Sequence, residues 1–335
     1  MRRIPVVLLL LAACKTTTVP PTARPGGAPT SESPASMSHG EAKIDNAKIP
    51  LLRPAEAPPR STNHHQRIRM RTLHARHTIS PGVTHEAWTF DSVVPGPTIR
   101  VTVGDTVDFT LVNAGPIPHS IDFHAAEIAP SRAYVNIMPG DSIQFRFVPR
   151  VAGAFLYHCG TAPVALHISN GMYGAIIVDP VQPRPAAKEL VLVQSELYLA
   201  SPMGPDSLHT IDWQKMLNLS PDYVVFNGVA SQYAAHPVAV DPGELVRFYV
   251  VNAGPNRQSS FHVVGAIFSQ VFVDGSATPW RGVQTVAVPV GGGMIFEARL
   301  AEAGLYPFVT HAFADATKGA VGVLRAGNRT GKIEH

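Results

Sequence analysis

One strand-turn-strand phrase occurs twice in this chain, and it restricts the available folds more than any other feature. TIRVTVGDTVDFTLVNAG (residues 98–115) sets apolar side chains at every second position around the turn Gly104-Asp105 and ends on Asn-Ala-Gly. HPVAVDPGELVRFYVVNAG (residues 236–254) repeats the pattern and ends on the same tripeptide. Period-two alternation marks strands with one buried face. A second pair agrees: MPGDSIQFRFVPRVAGAFLYHC (138–159) is answered by VPVGGGMIFEARLAEAGLYPFVTH (288–311). The expectation is an all-β chain of two Greek-key β-sandwich domains, 63–181 and 182–330, joined where prolines crowd DPVQPRPAAK (179–188). With 335 residues each domain can bury its own core, and 31 prolines and 27 glycines suit short strands joined by turns.

The N-terminus reads as an address rather than as structure. MRRIPVVLLLLAACK joins a basic pair to an apolar run too short to span a bilayer but suited to an export signal over residues 1–13. The small residues before Cys14 resemble a bacterial lipobox, which makes Cys14 the expected site of lipidation. Residues 14–62, rich in Pro, Ser, Thr, Ala and Gly, read as a flexible tether. The expected product is an exported lipoprotein anchored to the outer membrane, facing the periplasm or the cell surface. Removing Arg2 and Arg3 with the leader lowers the formal charge from +3 to +1, which argues against nucleic acid as a partner. With Cys14 acylated, Cys159 has no thiol to pair with, so it is a candidate metal ligand or nucleophile. His64, His65, His74, His77 and His85 follow the tether with no ligand spacing and are expected at the surface.

The chemistry concentrates in YHCGTAPVALHISNGMYG (157–174), where Cys159, His167 and Met172 share one short loop. A thiolate, an imidazole and a thioether lack one further histidine to complete the blue-copper donor set. PHSIDFHA (118–125) offers it: His119 and His124 are five apart and face opposite sides of a regular strand, whereas Asp122 and His124 share a side. The same parity separates His158 from Cys159. His119, Cys159, His167 and Met172 are therefore assigned inward, and His124, His158 and Asp122 outward. Two imidazoles form an incomplete site, and the second half offers His311 or His262 as a third; three histidines with an open position are the form of a catalytic metal centre. Adjacent residues serving two sites make the His158–Cys159 peptide a short covalent route for an electron.

The segments VPGPTIRV, HSIDFHAA, YHCGTAPVALHISNGMYGAIIV, DYVVFNG and SSFHVVG resemble the copper-containing nitrite reductases, and the similarity runs from about residue 65 to 325. The resemblance implies two cupredoxin domains and two coppers per subunit. It places type 1 copper on His119, Cys159, His167 and Met172, and type 2 copper on His124 and His158 with His311 from a neighbouring subunit of a homotrimer. Asp122 and His262 match the family's active-site acid and its partner histidine, and Val264 matches an aliphatic residue beside the substrate. Its lipobox and tether resemble those of the outer-membrane lipoprotein members. EIAPSRAYVNIMPG (127–140), with Glu127 and Arg132, departs from the glycine-rich loop of many members.

The implied reaction is one-electron reduction of nitrite to nitric oxide, supplied by a small cupredoxin or a c-type cytochrome and relevant to denitrification. One rival is a two-domain laccase-like multicopper oxidase, whose trinuclear cluster is built from His-x-His pairs; no two histidines here are separated by a single residue. Another is a blue-copper electron carrier or copper-binding lipoprotein with a vestigial outer site. Zinc also suits an all-imidazole site.

Overall fold

A computed structural model describes residues 53–202 and 208–328. The expected signal peptide, Cys14 and the tether up to residue 52 lie outside the described residues. In chain order the first sandwich contains β1 (His65–Ser80), β2 (Val83–Phe90), β3 (Ile99–Thr102), β4 (Thr106–Asn113), β5 (Asp122–Phe123), β6 (Ser142–Phe147), β7 (Gly153–His158) and β8 (Tyr173–Asp179). One sheet runs β2-β1-β4-β6 and the other β3-β8-β7-β5. The second sandwich contains β9 (Lys188–Leu197), β10 (Tyr223–Phe226), β11 (Val238–Val240), β12 (Leu245–Gly254), β13 (Ser259–Val263), β14 (Gln270–Val273), β15 (Thr285–Val288), β16 (Gly293–Arg299), β17 (Gly304–Thr310) and β18 (Val321–Ala326). Its sheets run β10-β9-β12-β16-β14 and β11-β18-β17-β13-β15.

The repeated phrase is β3–β4 in one half and β11–β12 in the other, and its Asn-Ala-Gly ending has a structural cause. Asn113 donates from Nδ2 to the carbonyls of Ile117 and Ile137 at 2.8 Å each, while its Oδ1 accepts from the Gly115 N–H at 2.9 Å. Asn252 does the same in the second half, donating to the carbonyls of Arg257 and Val288 and accepting from the Gly254 N–H. Each asparagine stands in for backbone partners where the chain leaves the ladder.

Strand β7 sets the position of everything that follows. Phe155, Tyr157 and Cys159 face the first core with Phe109, Phe123, Met172 and Ile176. Ala154 and Leu156 face the opposite way and pack with Val191, Val193, Tyr249, Val251 and Ile295 of the second sandwich. Burial on both faces explains why GAFLYH lacks alternation. The sheets come close enough that a β-carbon on Gly293 would lie 2.1 Å from the Ala154 carbonyl oxygen, so β16 needs glycine there.

Two expectations are corrected. The tether does not extend to residue 62: Ala55 is buried in the second core, its carbonyl accepts from Val191 N–H, and the Arg53 guanidinium donates to the carbonyls of Val94 and Pro95. Composition missed this because the segment is held by backbone pairing along β9, including a Glu56–Leu190 bridge, rather than by large apolar side chains. The five histidines from His64 to His85 also divide. His64 and His65 lie at the surface against Asp105 and Asp108, but His77 and His85 are buried, and His74 stacks on Trp88 with ring centroids 5.4 Å apart. His77 and His85 sit opposite one another across β1–β2 and bond to the carbonyls of Gly228 and His209.

Candidate metal centre

The loop from β7 to β8 folds Cys159, His167 and Met172 together by local hydrogen bonding. His167 occupies the last turn of a short helix, Val164–Ser169. Met172 N–H donates to the His167 carbonyl at 3.1 Å, and Cys159 N–H donates to the Met172 carbonyl at 3.0 Å. His119 enters from the other side, where it exchanges backbone hydrogen bonds with Ile137. The strand expected through PHSIDFHA is regular only at Asp122–Phe123. His119 nevertheless turns inward, because its Ile137 pairing replaces the ladder.

The result is three convergent donors. Cys159 Sγ lies 3.3 Å from His167 Nδ1 and 4.0 Å from His119 Nδ1, and the two Nδ1 atoms are 3.3 Å apart. A tetrahedral ion with metal–N distances of about 2.0–2.1 Å and metal–S of about 2.3 Å holds its donors roughly 3.3–3.6 Å apart. Two of the three separations match this spacing and the Cys159–His119 distance, at 4.0 Å, is somewhat wider, so the three atoms converge closely enough to share one ion. Met172 is fully buried in the same core as Cys159. Burial pushes His167 down to about 4 and, helped by His167 and His74, His119 down to about 3, so both imidazoles are neutral with a lone pair to offer. Ser120 N–H donates to Sγ at 3.3 Å, and Ser120 Oγ accepts from Gly160 N–H at 2.9 Å. Trp88 stands edge-on to both rings, 4.9 Å from His167 and 5.9 Å from His119. Sequence reasoning missed Trp88, which is brought to the site by its cross-strand pairing with His74.

The opposite face of the same strands holds a second group. Asp122 and His158 are direct partners in the β5–β7 ladder. His124 Nε2 lies 3.1 Å from His158 Nε2, and Asp122 Oδ2 lies 4.0 and 3.9 Å from these two nitrogens. His158 Nδ1 donates to the Cys159 carbonyl at 2.9 Å, which leaves Nε2 free as a donor atom. Burial, with His124 nearby, holds His158 below the ordinary imidazole range, although the Cys159 carbonyl and Asp122 oppose the shift. This imidazole pair suits a borderline ion such as copper.

His262 and His311 lie together on the second sandwich, with ring centroids 5.2 Å apart. His262 Nδ1 donates to the Gln284 carbonyl at 2.8 Å, while His311, beside Phe313, is exposed. Val264, just past the end of β13, is also exposed. Within this chain neither histidine joins the Asp122 group.

A multicopper oxidase family profile matches residues 72–183. A copper-containing nitrite reductase of Neisseria meningitidis serogroup B is 40% identical over 265 residues, covering 77% of this chain and 68% of the relative. The solved copper nitrite reductase of Nitrosomonas europaea superposes with a TM-score of 0.73 at 35% identity, covering 79% of this chain and 94% of that one. A solved multicopper oxidase gives 0.70 at 26% identity, covering 85% and 97%.

Proposed function

The chain belongs to the copper-containing nitrite reductases, and on that premise we infer that it reduces nitrite to nitric oxide, with copper as its cofactor in both donor groups. The observation that carries this reading is the back-to-back arrangement of the groups on adjacent residues: Cys159 faces the core and His158 the opposite side. When bound, copper supplies a one-electron redox centre at the Cys159 group and, at the His124–His158 group, a positive charge that holds the nitrite anion. We assign the first to His119, Cys159, His167 and Met172, and the second to His124 and His158 with His311 of a neighbouring copy.

The reaction consumes one electron and two protons per nitrite and yields nitric oxide and water. The His158–Cys159 peptide is the covalent route for the electron. Asp122, about 4 Å from both imidazole nitrogens, is within reach of an oxygen of an anion held beside them and delivers a proton to the departing oxygen. Because His262 and His311 lie side by side, the neighbour that donates His311 also brings His262, whose Nδ1 is fixed by Gln284, to orient water or supply the second proton. The neighbour's Val264 side chain would then crowd the substrate. A homotrimer, each copy lending His311 and His262 to the next, would close this arrangement.

The chain's first residues support a lipoprotein released from its leader at Cys14 and anchored at the outer membrane. A small cupredoxin or c-type cytochrome is the donor class suited to a one-electron site. The laccase-like alternative is disfavoured by the absence of any His-x-His pair in the sequence. The deciding experiment is anaerobic turnover of the copper-loaded protein with an artificial one-electron donor. Nitric oxide formation is expected; oxygen uptake without nitric oxide formation would reverse the assignment.

A further inference from the structure

The segment 127–140 is stitched to both arms of the Cys159 group. Ile137 exchanges backbone hydrogen bonds with His119 at 3.1 and 2.7 Å. Asn136 Oδ1 accepts from the Thr161 hydroxyl at 2.9 Å, just beyond Cys159 and Gly160. Just before these two anchors in the chain, Tyr134 lays its ring on Gly160. A β-carbon added to Gly160 would lie 1.7 Å from Tyr134 Cε2 and 1.9 Å from its hydroxyl, so the ring fills the space that any side chain at 160 would claim. The same tyrosine borders a cavity of about 20 Å³ with Asp122, Ile128, Ala133 and Phe145. One aromatic side chain thus touches the backbone that follows Cys159 and borders the space that Asp122 lines.

We propose that Tyr134 is a positioning residue for the Cys159 group: held by the 127–140 strap, its ring presses on Gly160 and closes that side of the ligand pocket to water. Cys159 is fully buried, although it lies where the regular part of β7 has ended and the chain turns into a loop. Past the Cys159–Met172 bond the chain has no ladder partner to exclude water, and a flat ring lying on a glycine supplies a close cover. The same contact explains why residue 160 is glycine although its φ is not in the left-handed region. This inference rests on the metal-centre reading for its consequence, but the contact itself can be tested without metal.

The test measures alkylation of Cys159 by iodoacetamide in the metal-free full-length protein, with the Cys159 peptide followed by mass spectrometry. Tyr134→Ala is expected to raise the rate about tenfold or more, while Tyr134→Phe, which keeps the ring, stays within about twofold of wild type. Phe308→Ala, in the second core, controls for general loosening. Equal rates in wild type and Tyr134→Ala, or a matching rise in Phe308→Ala, would overturn the proposal. Should Tyr134→Ala fail to fold, Gly160→Ala, whose methyl must displace the ring, is expected to give the same rise, and an unchanged rate there overturns it equally. With copper bound, the sulfur-to-copper absorption should shift in Tyr134→Ala and return in Tyr134→Phe. Absence of that absorption from wild type would reject the metal-centre reading, whereas the alkylation rates would still decide the role of Tyr134.

Discussion

Asp122 shares the solvent side of the β5–β7 ladder with His158, while their neighbours Phe123 and Tyr157 fill the core behind them. A substitution at Asp122 therefore acts on one donor group and spares the other. Asp122→Asn preserves shape and removes the proton carrier. It should leave the visible absorption of the Cys159 group unchanged and lower nitrite turnover by about 10²-fold or more, read as kcat under anaerobic conditions. Full activity in this variant would remove Asp122 from the mechanism. At this scale the sequence was most informative where ligands are local: Cys159, His167 and Met172 lie on one loop whose own backbone bonds gather them. Trp88 and Tyr134 were not legible, because each meets the site only through packing between segments far apart in the chain.

The β1–β2 hairpin shows what alternation alone leaves out. His77 and His85 looked like surface residues, but both are buried, with carbonyl acceptors supplied by Gly228 and His209 from the second half of the chain. Burial pushes His85 down to about 4 from an ordinary 6.5, with the His209 carbonyl opposing. The folded state therefore favours the neutral ring. Its contribution to stability is complete above about pH 6.5 and is lost as pH falls toward 4, with an upper bound on the order of 3 kcal/mol. The urea midpoint of the metal-free protein should fall between pH 7 and pH 4.5, and His85→Asn should flatten that dependence; an unchanged slope would mean that His85 is not the titrating group. Strand-leaving turns are a contrasting case, since the repeated Asn-Ala-Gly was visible as a repeat although its bonding was not. Asn113→Ala orphans the Ile117 carbonyl and the Gly115 N–H and takes from the Ile137 carbonyl one of its two donors, leaving the His119 N–H. It should cost about 2–4 kcal/mol in urea unfolding, and because it loosens the approach to His119 it should also weaken copper retention at the Cys159 group.

Across the whole molecule the two sandwiches share a continuous buried seam, from Ala154 and Leu156 of β7 to Tyr249 and Val251 of β12, yet the chain leaves apolar surface uncovered near its remaining histidines. Phe313 is 66% exposed and rests against His311, and Val264 is 44% exposed beyond His262. An exposed phenylalanine beside an exposed histidine is apolar surface that the proposed subunit contact would cover. Phe313→Asp places a charge in that contact without touching either donor group of the same chain. Light scattering should show a smaller assembly. The sulfur-to-copper absorption should survive, because every donor of the Cys159 group belongs to one chain, while nitrite turnover should fall by about 10²-fold as the neighbouring His311 and His262 are lost together. A His311→Ala chain mixed with a chain lacking His124 separates this from a local effect. Mixed assemblies contain some sites with all three imidazoles, so partial activity should return only if the third ligand crosses between copies. If the mixture stays as inactive as its parents while assembling normally, His311 does not serve the neighbouring site.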